Sequence, residues 1–160
     1  MANQRPRAVP ATEFHHIAVQ TNDLANSTAW YEAFFGAREN WSLETFSELT
    51  SQRLPGIRRL VEMAVGDGVR VHLFEREGRA AAAPTGSVTQ FQHVCMAVEG
   101  PEDLITLRER WIALFESGQF AYATPEEPTP VVVDADGVRS FYAYDVNGLE
   151  FEFTYLPPAV

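Results

Sequence analysis

The stretches HHIAVQTNDLANSTAWYEAFFG (15–36) and HVCMAVEGPEDLITLRERWIALFESG (93–118) follow one plan. Each opens on a short β-rich run and continues into an amphipathic helix that stops at a glycine. In the first, Asn22 or Asp23 can cap the helix by accepting a hydrogen bond from its free N–H groups. Leu24, Thr28, Tyr31, Phe34 and Phe35 then fall on one face, and Gly36 suits the left-handed helix end. In the second, Pro101 stands near the start, where its missing N–H costs nothing. Leu104, Leu107, Trp111, Leu114 and Phe115 make the apolar stripe, and Gly118 follows.

Working outward, each plan continues into strands. The first strand runs are EFHHIAVQ (13–20) and FQHVCMAV (91–98). After the first helix, residues 37–55 read as irregular or weakly β and end in the turn-like Leu54–Pro55–Gly56. RRLVEMAV (58–65) and VRVHLFE (69–75) then flank GDG (66–68), a hairpin signal. After the second helix, ATPEEPTP (123–130) reads as a loop. It leads to the strands VVVD (131–134), RSFYAYD (139–145) and LEFEFTYL (149–156), with turns at Asp136–Gly137 and Asn147–Gly148. The chain is therefore an internal repeat: a flexible arm (1–12), a first βαβββ module (13–77), a linker (78–90) and a second βαβββ module (91–156). Small residues, Gly and Pro fill most of the linker, GRAAAAPTGSVT (78–89). The expected fold is α+β, one compact domain. Its curved, mixed β-sheet cup encloses a metal and carries the helices outside, each covering one face of its own sheet while the other faces curve toward each other.

Composition narrows the function. The 160 residues, 46% hydrophobic and 21% charged, suffice for one domain with a core of its own. A net charge of −10 repels nucleic acid and anionic membrane surfaces. All 12 basic residues are arginine. Without lysine there is no Schiff-base chemistry and no ordinary phosphate loop. G-x-S-x-G and G-x-G-x-x-G motifs are absent. The single cysteine, Cys95, excludes an internal disulfide and a thiolate zinc cluster. The first ten residues carry no apolar signal core, and no apolar run approaches the roughly 18 residues of a membrane helix, so a cytoplasmic location is expected.

Three of the four histidines occupy equivalent places in the repeat. His16 and His93 stand in the first strand of each half, and His72 in the last strand of the first half. Glu152 takes the matching place in the second. The 56 residues from His16 to His72 compare with 59 from His93 to Glu152. Three imidazoles and a carboxylate are a sensible set for a divalent transition metal. Strand alternation puts His15 on the opposite face from His16, as a polar residue with a local partner.

These stretches resemble the vicinal oxygen chelate superfamily of glyoxalase I, methylmalonyl-CoA epimerase, fosfomycin- and bleomycin-resistance proteins and extradiol dioxygenases. HHIAVQTNDLANSTAWYEAFFGA (15–37) resembles its opening, through His16, Asp23, Trp30–Tyr31 and Gly36. LPGIRRLVEMAVGDGVRVHLFE (54–75) resembles its second-ligand hairpin. FYAYDVNGLEFEF (141–153) resembles its closing D-P-D-G-N-x-x-E-F pattern, with Val146 in place of Pro. The resemblance covers residues 13–156 and implies the metal ligands His16, His72, His93 and Glu152; the catalytic candidates are Glu152, as a base, and His72, as an extra ligand or an acid/base beside the metal. His72 departs from the pattern, standing where glyoxalases carry Glu and epimerases often Gln.

A six-coordinate ion on this set keeps two positions for neighbouring oxygens of a small substrate, as a Lewis acid or as a centre of oxygen chemistry. Proton transfer needs a base, and His72 replaces the obvious one. Glu152 remains, with Glu44 and Glu48 upstream. An oxygenase needs two His and a carboxylate with open positions, which His16, His93 and Glu152 supply. The balance favours a dioxygenase-type enzyme on Fe(II), ahead of a glyoxalase- or epimerase-like lyase or isomerase on Ni, Co, Zn or Mn. A non-catalytic sequestering protein is the third reading. Alternation and position nominate Gln20, Arg70, Phe74, Cys95, Arg139, Tyr142 and Tyr144 as substrate-binding residues, Arg70 for a carboxylate and Cys95 as a small buried filler. Trp30, Tyr31, Phe34 and Trp111 read as packing. A homodimer is expected, with the site built within one chain or shared across the pair.

Overall fold

The computed structural model describes residues 15–78, 80–81, 93–134 and 137–158. The N-terminal arm, most of the linker and Asp136 lie outside these residues. The elements run β1 (Ile17–Gln20), α1 (Leu24–Phe35), β2 (Arg38–Leu43), α2 (Glu48–Arg53), β3 (Ile57–Val65) and β4 (Val69–Arg76). The second half runs β5 (Val94–Val98), α3 (Pro101–Glu116), β6 (Val132–Val133), β7 (Arg139–Tyr144) and β8 (Glu150–Tyr155). They form two four-stranded mixed sheets, ordered β1-β4-β3-β2 and β5-β8-β7-β6. β1 is parallel to β4 and β5 to β8, and the remaining pairs are antiparallel. This is the tandem βαβββ arrangement, with no closed barrel. No helix among the described residues is long and apolar enough to cross a membrane.

Local chemistry explains the boundaries. Asp23 caps α1 by accepting from the Asn26 N–H at 2.9 Å, and Gly36 ends it at φ 65°. At the start of α3 the Asp103 carboxylate accepts from the Gly100 N–H at 2.9 Å. The weakly β segment 37–55 resolves into β2 and the short α2, which Ser47 caps. β2 owes its form to pairing with β3, through a bulge between Glu39 and Trp41. The run VVVD shortens to Val132–Val133, at the edge of its sheet beyond a proline-rich approach.

Both sheets turn one face to a single core. Val61, Met63, Val71 and Leu73 come from the first sheet, Phe141, Phe151 and Phe153 from the second, and Trp30, Tyr31, Phe34, Leu104 and Trp111 from the helices. α1 packs on β3 and β4 of its own sheet and also reaches the second sheet. Phe34 meets Phe153 edge to face at 5.8 Å, and Phe35 meets Phe151 at 5.4 Å. Arg110 of α3 donates two hydrogen bonds to the carbonyl of Ala33, tying the helices together.

A buried polar chain reinforces this junction. Thr21 and Ser27 hydroxyls lie 2.7 Å apart, and Ser27 donates to the Asn147 amide oxygen at 2.9 Å. Asn147 and Tyr31 side chains both donate to Asp145 Oδ2, at 3.2 and 2.9 Å. Asp145 is 0% exposed. The end of β1, helix α1 and the β7–β8 turn are thus held as one piece.

This junction decides where the other sheet faces look. Each helix does lie on the side of its sheet away from the histidine- or Glu152-bearing face. Within one chain, however, it is the helix sides that meet, and the two remaining faces are turned outward instead of toward each other. The reason is packing: Phe34 and Phe35 of α1 also meet Phe153 and Phe151 of the second sheet.

Candidate metal centre

Two half-sites result. In β4, His72 alternates with the core residues Val71 and Leu73, so its ring is on the outward face. His16, just ahead of β1, stacks on it with ring centroids 3.7 Å apart and planes 10° from parallel. His15 joins them: its Nδ1 lies 2.9 Å from His16 Nδ1, and Arg70 Nη1 lies 3.1 Å from its Nε2. This corrects the expectation that alternation sends His15 to the other face. β1 begins only at Ile17, and alternation does not bind a residue ahead of the ladder. The ligand atoms of His15, His16 and His72 all lie within 4.8 Å of one another, the one such group of three or more among the described residues.

Behind His72 stands a carboxylate that the sequence reading did not select. Glu62 of β3 is directly opposite His72 in the ladder and only 2% exposed. Its Oε2 is 2.8 Å from His72 Nε2, and its Oε1 accepts from the Asn40 amide at 3.0 Å. Burial alone would raise the Glu62 carboxyl, but the Asn40 and His72 hydrogen bonds and nearby Arg70 hold it below its ordinary value. Trp41 meets the His72 ring edge to face at 5.1 Å. Burial and the neighbouring His72 and His15 lower His16, which favours the neutral form that a metal ligand needs.

The second half-site mirrors the first. His93, just ahead of β5, places Nε2 3.2 Å from Glu152 Oε2. Tyr142 faces Glu152 across the β7–β8 ladder and meets the His93 ring at 5.6 Å. Desolvation and Glu152 raise both the Tyr142 hydroxyl and the Cys95 thiol. Cys95 pairs in register with Glu152 and is exposed, which corrects the expectation of a buried filler. It lies on an edge strand, on the face without a helix.

Of the remaining nominated residues, Arg70, Phe74 and Gln20 share the outward face of the first sheet, Phe74 being buried. Tyr144 shares that of the second, and Glu150 beside it raises its hydroxyl after desolvation. Arg139 has the parity of Phe141 and sits exposed at the strand end, on the core-side register. His16 and His72 are together, and so are His93 and Glu152, but the two pairs do not form one cluster within the chain.

The donors fit a divalent transition metal. Each pair offers two ligand atoms on one sheet face, and His72 is backed by a carboxylate, as ligating imidazoles usually are.

A sequence model of the Glyoxalase/Bleomycin resistance protein/Dioxygenase superfamily matches residues 13–153. No curated protein sequence matches the chain. Among solved structures, the fosfomycin resistance protein FosX from Listeria monocytogenes is similar at 19% identity and a TM-score of 0.63, over 92% of this chain and 96% of that one. Another structure of that protein, complexed with Mn(II) and sulfate, has a TM-score of 0.61 at 19% identity, over 92% of this chain and 95% of that one. A glyoxylase/bleomycin resistance protein/dioxygenase domain from Frankia sp. EAN1pec has a TM-score of 0.67 at 19% identity, over 92% of this chain and 100% of that one. With the family match spanning nearly the whole described fold, this chain belongs to the Glyoxalase/Bleomycin resistance protein/Dioxygenase superfamily.

Proposed function

We propose that this protein is a metal-dependent enzyme for a small substrate with neighbouring oxygens, and that it works as a homodimer. Its metal is held by His16 and His72 of one chain with the partner's His93 and the partner's Glu152. The observation that carries this reading is the pair of matching half-sites on outward faces. His15 stands beside the first pair as a third imidazole, and the four nominated ligands, two from each half-site, together supply three imidazoles and a carboxylate. β1 and β5, which follow His16 and His93 and flank the strands that carry His72 and Glu152, are edge strands, and Ala18, Cys95 and Ala97 on them are small and exposed. A second chain can therefore approach closely.

The reaction we infer is of the oxygenase type, with iron as the metal. When bound, the ion would supply Lewis-acid or redox chemistry to the substrate oxygens. Two features of the chain favour this over proton abstraction. Glu62 is shielded behind His72, out of a substrate's reach. The upstream carboxylates are exposed at the surface beside other partners: Glu44 lies 3.7 Å from Arg59, and Glu48 accepts from Gln52 at 3.1 Å. Of the nominated bases Glu152 remains, and it is also a ligand.

Elemental analysis of protein purified anaerobically without chelator tests the reading. We expect about one iron per site, as for a closed donor set, and O₂ uptake with catechol-like or α-hydroxycarbonyl compounds. In His16→Ala, His93→Ala and Glu152→Ala the metal content should fall to near zero. Nickel, cobalt, zinc or manganese with turnover lacking O₂ uptake would favour a lyase or isomerase. No metal even after reconstitution would overturn the enzyme reading and favour sequestration.

A further inference from the structure

We propose that Glu62 is a positioning residue for His72, fixing its imidazole as the Nε2–H tautomer so that Nδ1 is the nitrogen offered to the metal. The inference rests on the metal reading above for its consequence but not for its geometry. Which ring nitrogen of a histidine carries the proton follows from the hydrogen bond the other atoms make. Here Nε2 is 2.8 Å from Glu62 Oε2. A carboxylate only accepts, so the proton on that contact belongs to the imidazole, and in the neutral ring Nδ1 keeps its lone pair.

The arrangement is built, not incidental. Glu62 is 2% exposed and His72 8%. The other Glu62 oxygen accepts from Asn40 at 3.0 Å, so the carboxylate is held from two sides. Asn40 sits at the β2 bulge between Glu39 and Trp41. The bulge re-aims that one side chain toward β3, which gives it a purpose beyond edge protection. Trp41 and His16 pack against the His72 ring, limiting its rotation. An imidazole whose N–H faces a carboxylate is also a stronger donor through its other nitrogen. In the second half-site the position matching Glu62 holds Tyr142, a phenol where the first half has a carboxylate, opposite Glu152.

The test is the tautomer of His72 in metal-free protein, read by long-range ¹⁵N–¹H NMR correlation, in wild type, Glu62→Gln and Asn40→Ala. We expect the Nε2–H form in the wild type. Glu62→Gln presents an amide that can donate to Nε2, and His72 should shift to a mixed or Nδ1–H state. Metal affinity should drop by about 10–100-fold in Glu62→Gln and by a smaller factor in Asn40→Ala, where the carboxylate keeps one support fewer. An Nδ1–H His72 in the wild type overturns the assignment, and so does a Glu62→Gln variant that binds metal as tightly as a metal-binding wild type. Failure of the wild type to bind metal would overturn the metal reading, while the tautomer would still decide this one.

Discussion

Replacing Asp145 with alanine should destabilise the protein by about 3–5 kcal/mol, since several buried donors lose their acceptor at once. Asp145 Oδ1 accepts from the backbone N–H groups of Asn147 and Leu149, both at 2.8 Å. Its Oδ2 accepts from the Tyr31 hydroxyl and the Asn147 amide. The alanine variant orphans four donors around a fully buried point. Asp145→Asn should cost distinctly less. Its oxygen can keep the two backbone bonds, and the Tyr31 hydroxyl can rotate to accept from the new amide, which leaves the Asn147 side chain as the main loser. Tyr31→Phe should cost about 1.5–3 kcal/mol, the range for one hydrogen bond to a charged group. Urea unfolding of the three variants checks the order. A loss under about 1 kcal/mol in Asp145→Ala, the mean for any substitution, would mean that this network does not hold the two modules together.

That network also marks the limit of what the chain discloses by itself. The repeat was legible because periodicity and turn signals are local. Its hairpins even encode their own registers: Glu62 and His72 lie equally far from Asp67, and Tyr142 and Glu152 equally far from Asn147. Folding RRLVEMAV back on VRVHLFE about that centre would have exposed Glu62 as the partner of His72. Attention to metal-ligand spacing alone passed over it. Trp41 and Asn40 were harder, since they depend on a strand that forms only by pairing and on a bulge within it. Which way the cups face was not legible at all. The aromatic stripe of α1 satisfies one sheet or two equally well as a pattern. Only the contacts of Phe34 and Phe35 with β8 show that it serves two.

The outward cups make the assembly testable in a way that no single variant permits. His16→Ala and Glu152→Ala should each lose metal and activity, and co-expressing the two should restore both in part. In a symmetric dimer with shared sites, random pairing leaves about half of the dimers mixed, and about one site in four then has every ligand. That intact site joins the unaltered first half of one chain to the unaltered second half of the other. Co-expressing His16→Ala with His72→Ala should restore nothing, because every first half then carries a lesion. This contrast separates shared sites from recovered folding, since both pairs place one substitution in each chain. Were each site built within one chain, neither mixture would exceed its parents. Recovery in the first mixture and not the second requires His16 and His72 to work with the partner's His93 and the partner's Glu152. The physical reason is already in the core: α1 cannot cover both sheets and leave their opposite faces turned toward each other.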